Sequence, residues 1–155
     1  MKNQVLGLLV LGMLITPLPG KATQNIKNNK EGSTHEKIQN KDKFIYTLFR
    51  DINEFRRTHG LKPLYYSRLY TEIAEDHSQD MALRHSLDHK GFKRRFVLAQ
   101  SYHCVENIAW NYPTPAQLLS GWKHSPLHRK NMLDSNLSAA GIGMSSAYVT
   151  FFACK

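Results

Sequence analysis

Three side chains of this sequence could do chemistry together: Glu106, with His89 ahead of it and His128 after it. Glu106 is the one acid in the run Cys104-Val105-Glu106-Asn107-Ile108-Ala109-Trp110-Asn111, which holds strand-forming Val, Ile and Trp and is closed by Tyr112-Pro113. A carboxylate among apolar neighbours is paired, turned to the strand's other face, or part of a site. Two imidazoles and a carboxylate also form the ligand set of an open, catalytic-type zinc site. No short motif such as His-Glu-x-x-His joins the three, so spacing alone does not argue for a metal. The competing reading is a polar network that stabilises the strand. A second set overlaps the first. Ser125 stands one turn before His128, close enough for a serine–base pair that Glu106 could orient. The simpler reading of Ser125-Pro126 is an N-cap followed by proline at the first helical position.

The elements that must position these residues follow from periodicity. Ile45, Leu48, Phe49, Ile52 and Phe55 recur at spacings of three and four, an amphipathic helix that Gly60 ends. Ser67 caps a second helix with the stripe Leu69, Ile73, Ala74, His77 and Met81, on which His77 reads as a hydrogen-bonded core histidine. A short basic helix over residues 92–100 precedes the Glu106 strand, which is expected to be central. Thr114-Pro115 and Ser125-Pro126 each launch a further helix, the second carrying His128. Gly141 to Met144 and Tyr148 to Ala153 read as a closing hairpin across Ser145-Ser146-Ala147. Helices first, then strands mixed with helices, predict a sheet covered by helices.

At 155 residues the chain has the length of one domain. Residues 1–22 have the form of a signal peptide: Lys2, an apolar run from Val5 to Ile15, and Gly20-Lys21-Ala22 at the cleavage point. The expected organisation is a signal peptide over 1–22, a flexible polar leader over 23–42, and a folded domain over 43–155. An exported chain with two cysteines predicts a Cys104–Cys154 disulfide and leaves no thiol nucleophile. The net charge of +9 favours anionic partners, glycans or lipid headgroups. Lys93, Arg94, Arg95, Arg129 and Lys130 are the candidate basic patch, with weak contact to a membrane surface as one use. No nucleic-acid fold signature accompanies them. Tyr65, Tyr66, Trp110 and Tyr112 could line an apolar groove.

In order along the chain come Asn53-x-x-Arg56-x-x-x-Gly60-Leu61, Ala74-x-x-His77-Ser78-x-x-Met81, His89-Lys90-Gly91 and Glu106-Asn107-Ile108-Ala109. Trp122-x-x-Ser125-Pro126-x-His128-Arg129-x-Asn131-x-Leu133 and Gly141-Ile142-Gly143 complete the set. Together they resemble the bacterial branch of the CAP superfamily (cysteine-rich secretory proteins, antigen 5 and pathogenesis-related proteins), whose module is also called the SCP domain. The resemblance runs from about Phe44 to Phe152. It implies an α/β fold, a three-layer α-β-α sandwich with a small, mainly antiparallel central sheet and a large cleft. It places His89, Glu106 and His128 in that cleft, with Ser125 where family members with the full pattern carry a second acid. His85-Ser86 also resembles a family pair, which leaves His85 as the alternative first histidine. The resemblance implies no required cofactor, with zinc or another divalent cation at His89, Glu106 and His128 as an option. The expected protein is secreted and acts by binding a small apolar ligand, a metal, or an extracellular protein or glycan. The alternative is a hydrolase using Ser125, His128 and Glu106.

Overall fold

The computed structural model describes the backbone of residues 21–155 and the side chains of residues 36–155. The expected signal peptide falls almost wholly outside the described residues. The chain divides into two units, Met1–Glu36 and Lys37–Lys155, and apart from the start of the first helix the second carries everything that follows. Helix α1 is Lys21–Arg57, so residues 23–42, expected as a leader, are helical. Within the second unit, Lys41 pairs with Glu75, a tie that a reading by hydrophobicity does not see.

The remaining elements are β1 (Tyr65–Tyr66), α2 (Arg68–Arg84), α3 (Phe92–Leu98), β2 (Cys104–Trp110), α4 (Pro115–His124), α5 (Pro126–Met132), β3 (Ala139–Ser145) and β4 (Tyr148–Cys154). Local chemistry sets their ends. Ser67 accepts the backbone N–H of Tyr70 and Thr114 that of Gln117, each at 3.2 Å. Proline opens both α4 and α5.

The strands form one sheet in the order β1-β3-β4-β2, parallel only between β1 and β3. Strand β2 is therefore an edge strand, where the sequence suggested a central one. Side chains alternate across the sheet. On one face Leu48, Ile52 and Phe55 of α1 and Leu118, Leu119 and Trp122 of α4 pack on Ala109, Ile142, Val149, Phe151 and Ala153. On the other, α2 and the Phe92–Ala99 segment pack on Phe152 and Cys154. The result is the expected three-layer α-β-α sandwich. Arg56, which the motif reading singled out, ties one layer together: it is buried and donates to the carbonyls of Lys62, Met132 and Asp134 at 2.7–3.0 Å.

Helix α2 lies against β3 with no room for side chains between them. A Cβ on Gly141 would stand 2.1 Å from the Thr71 nitrogen, and one on Gly143 2.1 Å from the Glu75 nitrogen. One helical turn, about 5.4 Å, nearly matches two residues of strand, about 6.8 Å. Glycine at alternate strand positions thus meets successive turns of the helix.

Cys104 and Cys154 face each other across the β2–β4 ladder and are joined, as expected. The bond closes a loop with a sequence separation of 50. In the chain-entropy picture its loss costs up to about 4 kcal/mol. The Cys104→Ala/Cys154→Ala variant should therefore unfold at lower urea concentration, with a transition slope that is steeper because the uncrosslinked denatured chain exposes more surface; an unchanged midpoint would refute this.

Candidate functional site

Glu106 points from β2 into the α2–α3 layer, where its side chain is 1% exposed. A carboxylate so buried needs partners. Arg95 of α3 supplies two, its Nε at 2.6 Å from one oxygen and its Nη2 at 2.7 Å from the other. His89, in the loop between α2 and α3, donates from Nδ1 at 2.8 Å. The Nε2 of His77 on α2 stands 3.7 Å away, beyond hydrogen-bond reach. Burial pushes the Glu106 carboxyl up, but the hydrogen bonds from His89 and Arg95 and the Arg95 charge outweigh it and hold the group below the usual carboxylate range.

With Nδ1 committed to Glu106, His89 lines a cavity of about 290 Å³. The cavity is lined by His89, Phe92, Cys104, Val105, Glu106 and Asn131, and so lies along the β2 edge between the two helical layers. His85 is the exposed, left-handed C-cap of α2; of the two candidate first histidines, His89 meets the carboxylate.

His128 comes from the opposite layer, on α5, with its ring 6.1 Å from that of Trp122. Asn107 donates to its backbone carbonyl at 3.0 Å. Burial first, then the neighbouring His89, lowers the His128 pKa and favours the neutral ring. Its side chain makes no hydrogen bond to Glu106. The structure thus joins His89 to Glu106 directly and brings His128 within electrostatic range. Ser125 occupies the N-cap of α5 without a side-chain capping bond. Because Glu106 orients His89 rather than His128, a Ser125–His128–Glu106 relay is not assembled.

Nor does the donor set fit a divalent ion. The Arg95 guanidinium already satisfies both oxygens of Glu106. Among the described residues no group of three His, Cys, Asp or Glu side chains is placed to hold a metal.

Arg95 is the residue that sequence reasoning misplaced. It was grouped with Lys93, Arg94, Arg129 and Lys130 as a surface patch, yet it is 8% exposed. A signal was present: Phe92, Arg95, Phe96 and Ala99 recur at helical spacing, which puts 95 on the inward face. The rest of the patch is also divided. Lys93 and Arg94 belong to the α2–α3 layer, whereas Arg129 sits over the Phe55 ring in the other. The aromatic groove is divided too. Tyr65 and Tyr66 lie on one sheet edge, and Trp110 lies on the other, three strands away.

Two outward carbonyls of β2 are taken by side chains from the facing helices. Trp122 Nε1 donates to Ile108 at 3.2 Å, and Asn131 Nδ2 donates to Glu106 at 3.1 Å. Asn131 also reaches the Asn107 side chain at 2.9 Å, fixing the wall of the cleft.

A family model described as the cysteine-rich secretory protein family, CAP, matches residues 49–155. The chain is 30% identical over 124 residues to the uncharacterised protein YkwD of Bacillus subtilis, covering 76% of this chain and 47% of that protein. It is 30% identical over 146 residues to the uncharacterised membrane protein YlbC of the same organism, covering 90% and 39%. The match thus spans less than half of each relative's length. Among solved structures, an extracellular protein containing an SCP domain from Bacillus anthracis superposes with a TM-score of 0.71 at 24% identity, covering 74% of this chain and 41% of that one. A cysteine-rich secretory protein from Staphylococcus aureus gives 0.68 at 18% identity, covering 74% and 38%. An outer surface protein from Borrelia burgdorferi gives 0.65 at 16% identity, covering 71% and 90%. These structures share the fold of the chain.

Proposed function

The chain belongs to the cysteine-rich secretory protein (CAP) family, and on that footing we propose that it is a binding module acting outside the cell. Its ligand is a small, mainly apolar molecule with an uncharged hydrogen-bonding head. One observation carries this reading: Arg95 cancels the charge of Glu106 inside the cleft wall. The cleft then offers the imidazole edge of His89, the Asn131 amide and the apolar surfaces of Phe92 and Val105. With its carboxylate bound to a guanidinium, the site lacks a free acid to activate water. The location outside the cell is supported by the extracellular and surface proteins that share the fold. Among the described residues, no helix is long and apolar enough to cross a membrane.

Titration of the full chain with octanol and with octanoate, followed by NMR, tests the reading. Octanol should shift the resonances of His89, Phe92 and Val105, and octanoate should bind less well. His89→Ala should weaken octanol by about three- to tenfold, the value of one hydrogen bond. Absence of shifts at the cleft would overturn the proposal. Ester hydrolysis that disappears in Ser125→Ala would replace it with the hydrolase.

A further inference from the structure

A second cavity, of about 370 Å³, lies between α2 and α3 and shares no lining residue with the cleft. Its floor is buried: Ile73, His77 and Arg95. Its rim carries the exposed Asp76 of α2 and the exposed Lys90 and Arg94.

His77 is 2% exposed, and its Nε2 donates to the Asp88 carbonyl at 2.9 Å. That fixes Nδ1 as an acceptor, and Nδ1 is buried with no hydrogen-bond partner. Such an orphan is costly and calls for a donor. Burial also keeps the ring neutral, so Nδ1 remains an acceptor.

The cations sort by the same bookkeeping. Arg84 is held by Asp80 and Asp88, and Arg95 by Glu106. Among the described residues, Lys90 and Arg94 form no ion pair. The Lys90 backbone is nonetheless fixed, its N–H donating to Asp88 at 3.0 Å and its carbonyl accepting from Arg95 at 2.8 Å. Two unpaired cations on the rim suit one phosphate group. His77, a lining residue with its Nδ1 acceptor unpartnered, and the unpaired Asp76 carboxylate suit hydroxyl donors.

We propose that this cavity is a second binding site, for a phosphorylated polyol. The phosphate meets Lys90 and Arg94, and the hydroxyls donate to His77 Nδ1 and Asp76. Inorganic phosphate has no hydroxyl-bearing chain to serve His77 and Asp76 while its oxygens meet the cations, and an uncharged polyol would leave the two cations unmatched. The polyol phosphate can be a free ester or a lipid headgroup.

Calorimetric titration of the full chain with glycerol 3-phosphate tests the assignment, with inorganic phosphate and glycerol as controls. Glycerol 3-phosphate should bind more tightly than either control. Lys90→Met/Arg94→Met should weaken it about tenfold or more, as loss of charge-assisted bonds requires. Asp76→Ala, an exposed change that leaves the core untouched, should weaken glycerol 3-phosphate but not inorganic phosphate. Vesicles of phosphatidylglycerol form the second arm. Binding that depends on Lys90 and Arg94 identifies the headgroup as the source, and binding of the soluble ester alone identifies the free one. No binding in either arm, equal affinity for phosphate and its glycerol ester, or indifference to the double substitution would overturn the site. The double variant should still bind octanol in the cleft, so the two readings stand or fall separately.

Discussion

Replacing Arg95 with methionine is expected to destabilise the domain by roughly 3–5 kcal/mol at pH 7, the cost of leaving a buried carboxylate without its counter-charge. Glu106 has a side chain 1% exposed, and its remaining close donor would be His89, whose own side chain is 52% exposed. A loss of that size is a large share of the 5–15 kcal/mol that holds a typical domain together. The second half of a mutant cycle makes the result specific. Arg95→Met with Glu106→Leu should recover much of the loss, because a buried pair and a well-packed apolar pair of similar volume are close in stability. The pH dependence follows from the direction of the shift. In the native chain the Glu106 pKa is held below its ordinary value, so its contribution is present above about pH 4.3 and is lost as pH falls through the folded value. In Arg95→Met burial dominates and the carboxyl takes up a proton more readily. The deficit against wild type should therefore narrow as the solution is acidified from pH 7 towards pH 4. Urea denaturation across that range is the measurement. A deficit below about 1 kcal/mol, the scale of an exposed pair, would show that Glu106 is hydrated in solution.

Gly143→Ala should be comparably severe, at roughly 3–5 kcal/mol or outright failure to fold. The added methyl would meet the Glu75 backbone nitrogen at 2.1 Å, and the two nearest atoms after it are also α2 backbone. Backbone cannot rotate aside as a side chain can. Relief requires lifting the helix from the sheet, which opens the packing of Ile73 and Ala74 on Phe152. Gly141→Ala should behave likewise against Thr71. Gly60→Ala is the control. It has a positive φ of 71° but nothing within 4 Å, so only conformational strain applies, about 1–2 kcal/mol. If all three glycines cost the same, close approach is not what the Gly141–Gly143 pair is for.

The helices were legible because their information is local. The Ile73-Ala74-His77-Met81 stripe, the Ser67 and Thr114 caps and the prolines at 115 and 126 each act within a turn or two of chain. The Glu106–His89 contact was legible only through the family resemblance, since no spacing rule joins a loop histidine to a strand acid. Of the strand order only the β3–β4 hairpin was legible: β2 reads as equally apolar whether it lies at the centre or the edge of the sheet. Arg95 was misread for a different reason. Its charge suggested solvent, although its helical phase with Phe92 and Phe96 pointed inward, and phase was the better guide because Glu106 waits on the inner side. Leu69 shows the reverse, sharing the α2 stripe yet remaining 45% exposed.

The side chains that cover the β2 edge limit how any partner can dock. An extended peptide joins a sheet by matching its backbone to an open edge. Here Trp122 and Asn131 already hold the outward carbonyls of Ile108 and Glu106, so strand addition at that stretch would first have to displace both. On the opposite edge the two residues of β1 pair with Ala139 and Ala140 of β3, and Glu75 takes the Met144 N–H, which leaves little continuous backbone to template another chain. Recognition by this domain is therefore left to side-chain surfaces and cavities, and the same closure guards the domain against joining its copies edge to edge.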